Sequence, residues 1–292
     1  MSKVLLLGNG LNNVTNNYKW GNLIDDLISY LGLRNIATKQ KPFPLLYEEI
    51  YLSNLKNKKI SEYDIKSYIA QKIGGLLPNK VHKSIESLSI SNVLTTNYDY
   101  VIEQALGYNS QDLSDNGAVK QRRYSLFRHT KVGGKRVWHI HGEINKPNTI
   151  LLGFEQYGGQ LQQMRNYVVS GTGNAYKKRF APLKDRLKKG DIEIVSWLDL
   201  FFTQDIHIVG LSLEFSENDL WWLINYRARR RLEGKGLGEN TITYYYSSTE
   251  ERGKQSKLDM LKANEICLHP IDRGYDLIYY QCAFDHLQGI LR

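Results

Sequence analysis

Cysteine is scarce in this chain: Cys267 and Cys282 are the only two among 292 residues, and neither has another cysteine near it in sequence. This scarcity excludes the paired cysteines of zinc modules and the dense disulfides of small secreted scaffolds. Long apolar runs are also missing, and the run at 4–7 is too short for the core of a signal peptide. We therefore expect a cytoplasmic protein that neither spans a membrane nor is exported.

Acidic residues are outnumbered, with 30 Asp and Glu against 39 Lys and Arg, which gives a formal charge of +9. The four arginines at 227, 229, 230 and 231 suggest a nucleic-acid-binding region. Basic residues on a helix are more often a solvated face than a contact to phosphates. Nucleic-acid binding is therefore kept as an alternative, and the 41% hydrophobic content indicates an ordinary globular protein with a sizeable core.

Short apolar runs that end at turn residues predict the strands. Most are continuous Val, Ile and Leu rather than alternating, as in a parallel sheet that is covered on both faces. The predicted strands are 3–7, 92–96, 136–140, 149–152, 206–210, 241–246 and 265–269. Helical patterns lie between them, which favours a doubly wound, Rossmann-like α/β fold, in which ligands bind at the carboxyl ends of the strands.

The remaining segments fit a single domain over 1–292 with two helical insertions, at about 34–90 and 155–203. Ser61 and Asp64 have the spacing of a capping box within the first insertion. The stretch 107–135 is polar and rich in turn residues, so we expect a long surface connection there. The last residues, from Leu277 onward, predict a final amphipathic helix.

Two candidate ligand motifs follow predicted strands. Gly8-Asn9-Gly10 follows the first strand, where glycines allow a tight turn and a close approach to a pyrophosphate, although a plain turn is an equal alternative. The run 95–99 (Thr-Thr-Asn-Tyr-Asp) places several hydrogen-bonding side chains at the end of the second strand. These polar groups either serve a ligand or cap the next helix.

Two histidines, His139 and His141, share one side of the next predicted strand, and either could act as a base. No cysteine or third histidine lies nearby in sequence, so we predict no metal site. The predicted strand at 206–210 leads to Gly210 and Ser212, which could bind phosphate or ribose, and then to Ser216 as the expected cap of a helix.

In this order the motifs resemble the sirtuin-like NAD-binding family, and within it the prokaryotic defence-type NADases. Gly8-Asn9-Gly10 resembles the phosphate loop of the family. The run 95–99 is similar to its Thr-Gln-Asn-Ile-Asp pattern, His141-Gly142 to its catalytic His-Gly, and 210–212 to its Gly-Thr-Ser.

The resemblance implies roles for individual residues. Asn97 would position the water or the ribose, Asp99 would hold the nicotinamide carboxamide, and His141 would act as the general base. The residues that would hold the rest of the dinucleotide are Gly8, Asn9, Gly10, Asn12, Thr96, Gly210 and Ser212.

The same resemblance implies an NAD glycohydrolase that releases ADP-ribose and nicotinamide and depletes NAD during phage infection. The two pairs of zinc-binding cysteines of the family's deacylases are missing, so the resemblance does not extend to deacylation. We expect a homo-oligomer with a separate activator or ATPase partner. The alternatives are a sensor that binds NAD or ADP-ribose without turnover, and a nucleic-acid-associated subunit.

Overall fold

A computed structural model describes residues 2–16, 19–109, 115–121, 123–173, 176, 178–190, 192–235, 239–250 and 254–291. Seven strands in these residues form one sheet. They are β1 (Lys3–Leu7), β2 (Asn92–Thr95), β3 (Thr130–Val132), β4 (Lys135–His139), β5 (Asp205–Val209), β6 (Ile242–Ser247) and β7 (Cys267–Ile271).

The strand order of this sheet is β3-β4-β2-β1-β5-β6-β7. All neighbouring strands are parallel except β3, which pairs antiparallel with β4. Without β3, the parallel strands have the 3-2-1-4-5-6 order of dinucleotide-binding folds. The predicted doubly wound α/β fold is therefore confirmed, and the order reverses between β1 and β5.

Both faces of the sheet are covered, as the continuous apolar strands predicted. Val4 and Leu6 of β1 point into one core cluster, which includes residues of the helices between β4 and β6. Leu5 and Leu7 point into the opposite cluster, together with residues of the C-terminal helix. Successive side chains of a strand point to opposite faces, so each inner strand contributes to two cores.

Twelve α-helices connect or cover the strands in the described residues. They are α1 (Gly10–Asn16), α2 (Trp20–Tyr30), α3 (Phe43–Asn57), α4 (Glu62–Ile73), α5 (Lys80–Ser84), α6 (Val101–Ala105), α7 (Phe154–Arg165), α8 (Leu183–Lys189), α9 (Trp197–Thr203), α10 (Asn218–Leu232), α11 (Gln255–Ala263) and α12 (Leu277–Leu291). A π-helical turn, Asn166–Ser170, extends α7, and a 3-10 turn covers Pro147–Thr149.

The predicted insertion at 34–90 is helical and contains α3, α4 and α5. The side chain of Ser61 accepts the Asp64 N–H at the start of α4, as the capping pattern predicted. Helices α2, α3 and α4 bury a third core cluster of their own. The second predicted insertion, at 155–203, contains most of α7 together with α8 and α9. No helix of the described residues is long and apolar enough to span a membrane.

Two predictions about strands were wrong. Residues 149–152 do not form a strand: Thr149 ends the 3-10 turn, and residues 150–152 have no regular secondary structure. The Leu151 N–H donates to His141 O, just past β4, at 2.9 Å. The run is apolar because Ile150 and Leu152 pack into the third core cluster. The predicted surface connection at 107–135 contains β3, while its residues 110–114 and 122 lie outside the described residues.

Candidate functional site

A cavity of about 920 Å³ opens at the carboxyl ends of the strands, where the strand order reverses. We call it the main cavity. Residues that follow β1, β2, β4 and β5 line it, together with residues that precede α2 and α3. Its volume is near the upper end of the roughly 300–1,000 Å³ typical of small-molecule sites. The position is the one that the fold predicts for a ligand.

The floor of the main cavity is built from two loops in close contact. Gly8 N–H donates to Val209 O at 3.1 Å, and Gly10 N–H donates to Gly210 O at 2.9 Å. A Cβ on Gly8 would lie 2.4 Å from Gly210 O, closer than atoms can approach. Glycine at position 8 is therefore required for the two loops to pack, and the loop contact explains this part of the motif without a ligand.

Most of the predicted ligand residues line the main cavity. These are Asn9, Gly10, Thr96, Asn97, His141, Gly210 and Ser212. Gly8, Asn12 and Asp99 are not among the lining residues. The structure thus brings together four chain segments that are up to about two hundred positions apart, as expected where parallel strands end at one edge of a sheet.

His141 is buried and paired with an acidic residue. Its Nε2 donates to the Asp219 Oδ2 at 2.9 Å, and both side chains are almost completely buried. Burial opposes the charged form of His141, but Asp219 and, less strongly, Glu217 together outweigh burial and raise the pKa of the imidazole. The pairing fixes the tautomer and leaves Nδ1 without a hydrogen bond from any described residue.

The two histidines of β4 have different surroundings, although the sequence placed them on one side. His139 is the last residue of β4, and its Nδ1 and Nε2 donate to Asn97 O at 2.7 Å and to Glu103 Oε1 at 2.8 Å. Burial alone would lower the pKa of His139, but the carboxylates of Glu103 and Glu143 outweigh burial, and the pKa is raised to about 9. His139 is therefore a buried cation that holds the Asn97 backbone, and His141 is the histidine of the cavity.

Asn97 is held on three sides. Its N–H donates to Thr95 Oγ1 at 3.0 Å, its carbonyl accepts from His139, and its amide Nδ2 reaches Gly8 O at 3.4 Å. The side chain is buried apart from the part that lines the main cavity. This support keeps one amide group in a fixed orientation at the end of β2.

The carboxylate of Asp99 accepts hydrogen bonds from two other segments of the protein. Its Oδ1 accepts the Val101 N–H at 3.0 Å at the start of α6, and its Oδ2 accepts the Asn12 Nδ2 at 2.9 Å. Burial raises the pKa of its carboxyl group. Asp99 borders a smaller cavity of about 30 Å³, which has room for about one water molecule. Asp99 thus binds the first backbone N–H of α6, as the helix alternative predicts, and its contact with the nicotinamide carboxamide stays a prediction.

Asp219 and Glu217 were not among the predicted site residues. The sequence predicts Ser216 as the cap of the following helix, whereas Glu217 is the residue that precedes α10, and Asp219 lies in the first turn of α10. Glu217 lines the main cavity, and burial raises its pKa to about 7. The available signal was two carboxylates shortly after the predicted strand at 206–210, but the contact of Asp219 with a histidine 78 positions away could not be read from it.

Aromatic side chains line the walls of the main cavity. Trp20 packs against Phe43 and Tyr98, with ring centroids 4.9 and 5.5 Å apart. The lining on the side of β6 and α12 includes Tyr244, Tyr245, Tyr275 and Tyr280. Aromatic faces are suitable surfaces for stacking heteroaromatic rings. Trp221 and Trp222 of α10 pack against a core cluster and do not line the cavity.

The basic cluster after Trp222 does not form one continuous surface. Arg227 is buried in α10, where its Nε donates to Asn240 Oδ1 at 3.1 Å. Arg230 lies over the Tyr226 ring, and Arg229 is exposed. The described residues contain no group of three or more His, Cys, Asp and Glu placed to hold a metal ion.

Residues 91–189 match the family model of the SIR2-like domain. The sirtuin-like resemblance is thereby supported for residues 91–189. The match begins just before β2 and ends at α8, so it contains Asn97, Asp99 and His141. No curated protein matches the chain.

A SIR2-like domain implies the use of NAD. The main cavity provides what a dinucleotide requires: a large volume, main-chain groups of two glycine loops, and aromatic walls. Gly8, Gly210 and Asp219 lie outside the matched residues, so the assignment of the cavity floor and of the histidine partner rests on the geometry alone.

Proposed function

We propose that this protein is an NAD glycohydrolase that cleaves NAD to ADP-ribose and nicotinamide. The observation that carries the proposal is the buried His141–Asp219 pair, which borders a large cavity at the carboxyl edge of a dinucleotide-binding sheet. The SIR2-like domain supplies the expectation of NAD as the ligand. We infer that NAD is the substrate rather than a recycled cofactor.

The proposed reaction breaks the bond between C1′ of the ribose and the nicotinamide nitrogen. The bonding electron pair goes to the positively charged ring, which leaves as neutral nicotinamide, and positive charge develops on the ribose. A water molecule attacks C1′ and gives its proton to His141 Nδ1, so that water plus NAD yields ADP-ribose, nicotinamide and a proton. Asn97 orients the ribose or the water, and the cavity walls exclude other nucleophiles.

The chemical step needs little more than orientation and one base. Asp219 keeps Nε2 protonated, so that Nδ1 is the nitrogen that accepts a proton. General-base catalysis of this kind is worth about 10²–10⁴-fold in rate. Gly10, Gly210 and Ser212 are proposed to contact the phosphates or the adenosine ribose, since their segments form the floor of the cavity.

The test measures release of nicotinamide and ADP-ribose from NAD by the purified protein. His141→Ala and Asn97→Ala should each lose release by at least about 10²-fold. His129→Ala is the matched control, because His129 is buried but does not line the main cavity. NAD binding without release by the unaltered protein would instead favour the sensor function, and full activity of His141→Ala would refute the assigned base.

We further propose that the hydrolase acts in the cytoplasm as a defence effector that depletes NAD during phage infection. On this proposal it works as a homo-oligomer under a separate activator, for which an ATPase is one candidate. The resemblance to defence NADases supports these parts. Cells that express the protein should lose NAD after phage challenge, whereas cells with the His141→Ala variant should keep it.

A further inference from the structure

The end of the main cavity near His141 is acidic. Asp219 is bound to His141, and Glu217, two residues earlier, lies on the cavity wall. The side chains of Tyr98 and Tyr157 also border this end, and the Tyr157 ring meets the His141 ring edge-on at 5.3 Å between centroids. A carboxylate, a histidine and two aromatic rings therefore surround the place where the reacting group would lie.

At the end of the main cavity near His141, Glu217 is the acidic side chain that a ligand can contact. Asp219 is fully buried behind His141, whereas Glu217 is half-buried and lines the cavity. The Glu217 Oε2 accepts the Glu214 N–H at 2.8 Å. Among the described residues no hydrogen bond reaches Oε1, and no lysine or arginine forms an ion pair with this carboxylate.

A partly buried carboxylate that forms no ion pair with a lysine or arginine of the described residues attracts a cationic ligand. Burial raises the pKa of Glu217 to about 7, and His141 opposes this increase only in part. A ligand with a positive charge at this end would restore the favourable interaction that Glu217 lost on leaving water. Flat aromatic walls are suited to a charge that is carried by a ring.

We propose that Glu217 is a specificity-determining residue that selects the oxidised form of a nicotinamide dinucleotide over the reduced form. The oxidised nicotinamide ring carries a positive charge and the reduced ring does not, while the two forms are otherwise nearly the same in shape. The proposal rests on the proposed function, because that function places the nicotinamide beside His141. It goes further in assigning the discrimination to a named side chain.

The test compares the binding of two dinucleotides by calorimetry, and it does not depend on turnover. Carbocyclic NAD has the cationic ring but lacks the ribose oxygen that supports cleavage, and NADH has the neutral ring. Glu217→Gln should weaken binding of carbocyclic NAD about tenfold and change binding of NADH less than twofold. Measurements at about pH 8 keep the Glu217 carboxyl group ionised.

Two further variants separate charge from folding. Glu217→Asp keeps a carboxylate and should keep most of the selectivity. Glu214→Gln removes an exposed carboxylate of the same loop, which also lines the cavity, and should change the ratio of the two affinities less than Glu217→Gln does.

The possible results are distinct. An affinity ratio in Glu217→Gln equal to that of the unaltered protein would overturn the role of Glu217 and leave the hydrolase untouched. Selective binding that depends on Glu217, with no cleavage of NAD, would overturn the hydrolase and support the role of Glu217. Binding of neither dinucleotide would overturn both proposals.

Discussion

Asp219 is the residue whose role is most easily tested in the candidate site. Asp219→Asn keeps the size of the side chain but removes the charge that raises the pKa of His141. We expect turnover of NAD to fall by roughly 10²-fold. The acidic limb of the pH–rate profile should also move to lower pH, because a base with a lower pKa loses its proton at lower pH.

The pH profile distinguishes this effect from simple damage to the fold. Asp259→Asn is the matched control, because Asp259 is exposed on α11 and contacts Gln255 at 2.7 Å. It should retain both the rate and the profile of the unaltered protein. A profile of Asp219→Asn with an unmoved acidic limb would show that His141 is not the titrating base.

Gly8 packs too closely against the second floor loop to accept a side chain without a loss of stability. Gly8→Ala should lower the free energy of unfolding by roughly 2 kcal/mol, because its Cβ meets the main chain of Gly210 and Leu211. Gly21→Ala in α2 should be neutral or stabilising, since nothing lies within 4 Å of its added Cβ. Urea denaturation checks both, and equal stabilities would argue against the described contact between the loops.

Local motifs identified residues at the ends of the strands, whereas long-range contacts could not be read from the sequence. His141, Asn97 and Gly210 line the main cavity, and the roles that the family resemblance implies for them stay predictions. The partner of His141 comes from another chain segment, and the partner of Asp99 is Asn12, 87 positions away. Spacing within a segment carries no information about such contacts.

Helix α5 is attached to α1 by Asn79, and Asn79 is held in place by the neutral form of His82. His82 Nδ1 accepts the Asn79 N–H at 3.2 Å, and Asn79 Nδ2 donates to Leu11 O and Thr15 Oγ1 at 2.9 and 2.7 Å. Burial lowers the pKa of His82 to about 4. A protonated ring could not accept the Asn79 bond, so acid opposes this attachment.

The sign of the pH effect follows from that lowered pKa. The unfolded chain binds a proton near pH 6.5 and the folded chain only near pH 4, so stability is full above about 6.5 and falls between the two values. We expect His82 to contribute a loss of roughly 2–3 kcal/mol between about pH 7.5 and 4.5. His82→Gln, which keeps an acceptor but does not titrate, should lose less than the unaltered protein in urea denaturation.

An exposed residue of the same helix provides the control for this measurement. Lys83 is exposed on α5, and Lys83→Gln should follow the unaltered protein from neutral to acidic pH. A loss in His82→Gln as large as that of the unaltered protein would remove His82 from the explanation.

The errors in element prediction have physical causes. The run 149–152 is apolar because it packs against the helices of the third core cluster, and such a run has the same signature as a buried strand. The β3–β4 hairpin turns at Gly133 and Gly134, both of which have positive φ. This Gly-Gly pair was a hairpin signal, but the polar residues around it favoured a surface connection.

Binding of NAD can be distinguished from its cleavage, because a bound ligand raises the free energy of unfolding of the whole protein. A ligand present at a hundredfold excess over its Kd raises the free energy of unfolding by about 2.7 kcal/mol. The His141→Ala variant should show this gain with NAD if its fold and floor are intact, although it should not cleave NAD. Thermal denaturation with and without NAD checks it, and no gain in any variant would contradict a dinucleotide site.

The fold class was the most predictable property of the molecule. Continuous apolar strands that alternate with helices define a covered parallel sheet, and the position of the cavity follows from the strand order. The shape of the cavity was not predictable, since its aromatic walls come from the first residues of α2 and α3 and from the C-terminal part of the chain.

The two-loop floor of the main cavity limits how this protein can acquire a new preference for ligands. Main chain meets main chain there, at Gly8, Gly10 and Gly210, so a side chain added at Gly8 disturbs the fold before it alters recognition. The aromatic walls have no such constraint, since Trp20 and Phe43 lie at the starts of α2 and α3 rather than in the strands. Changes of substrate are therefore confined to the walls, while the floor stays the same.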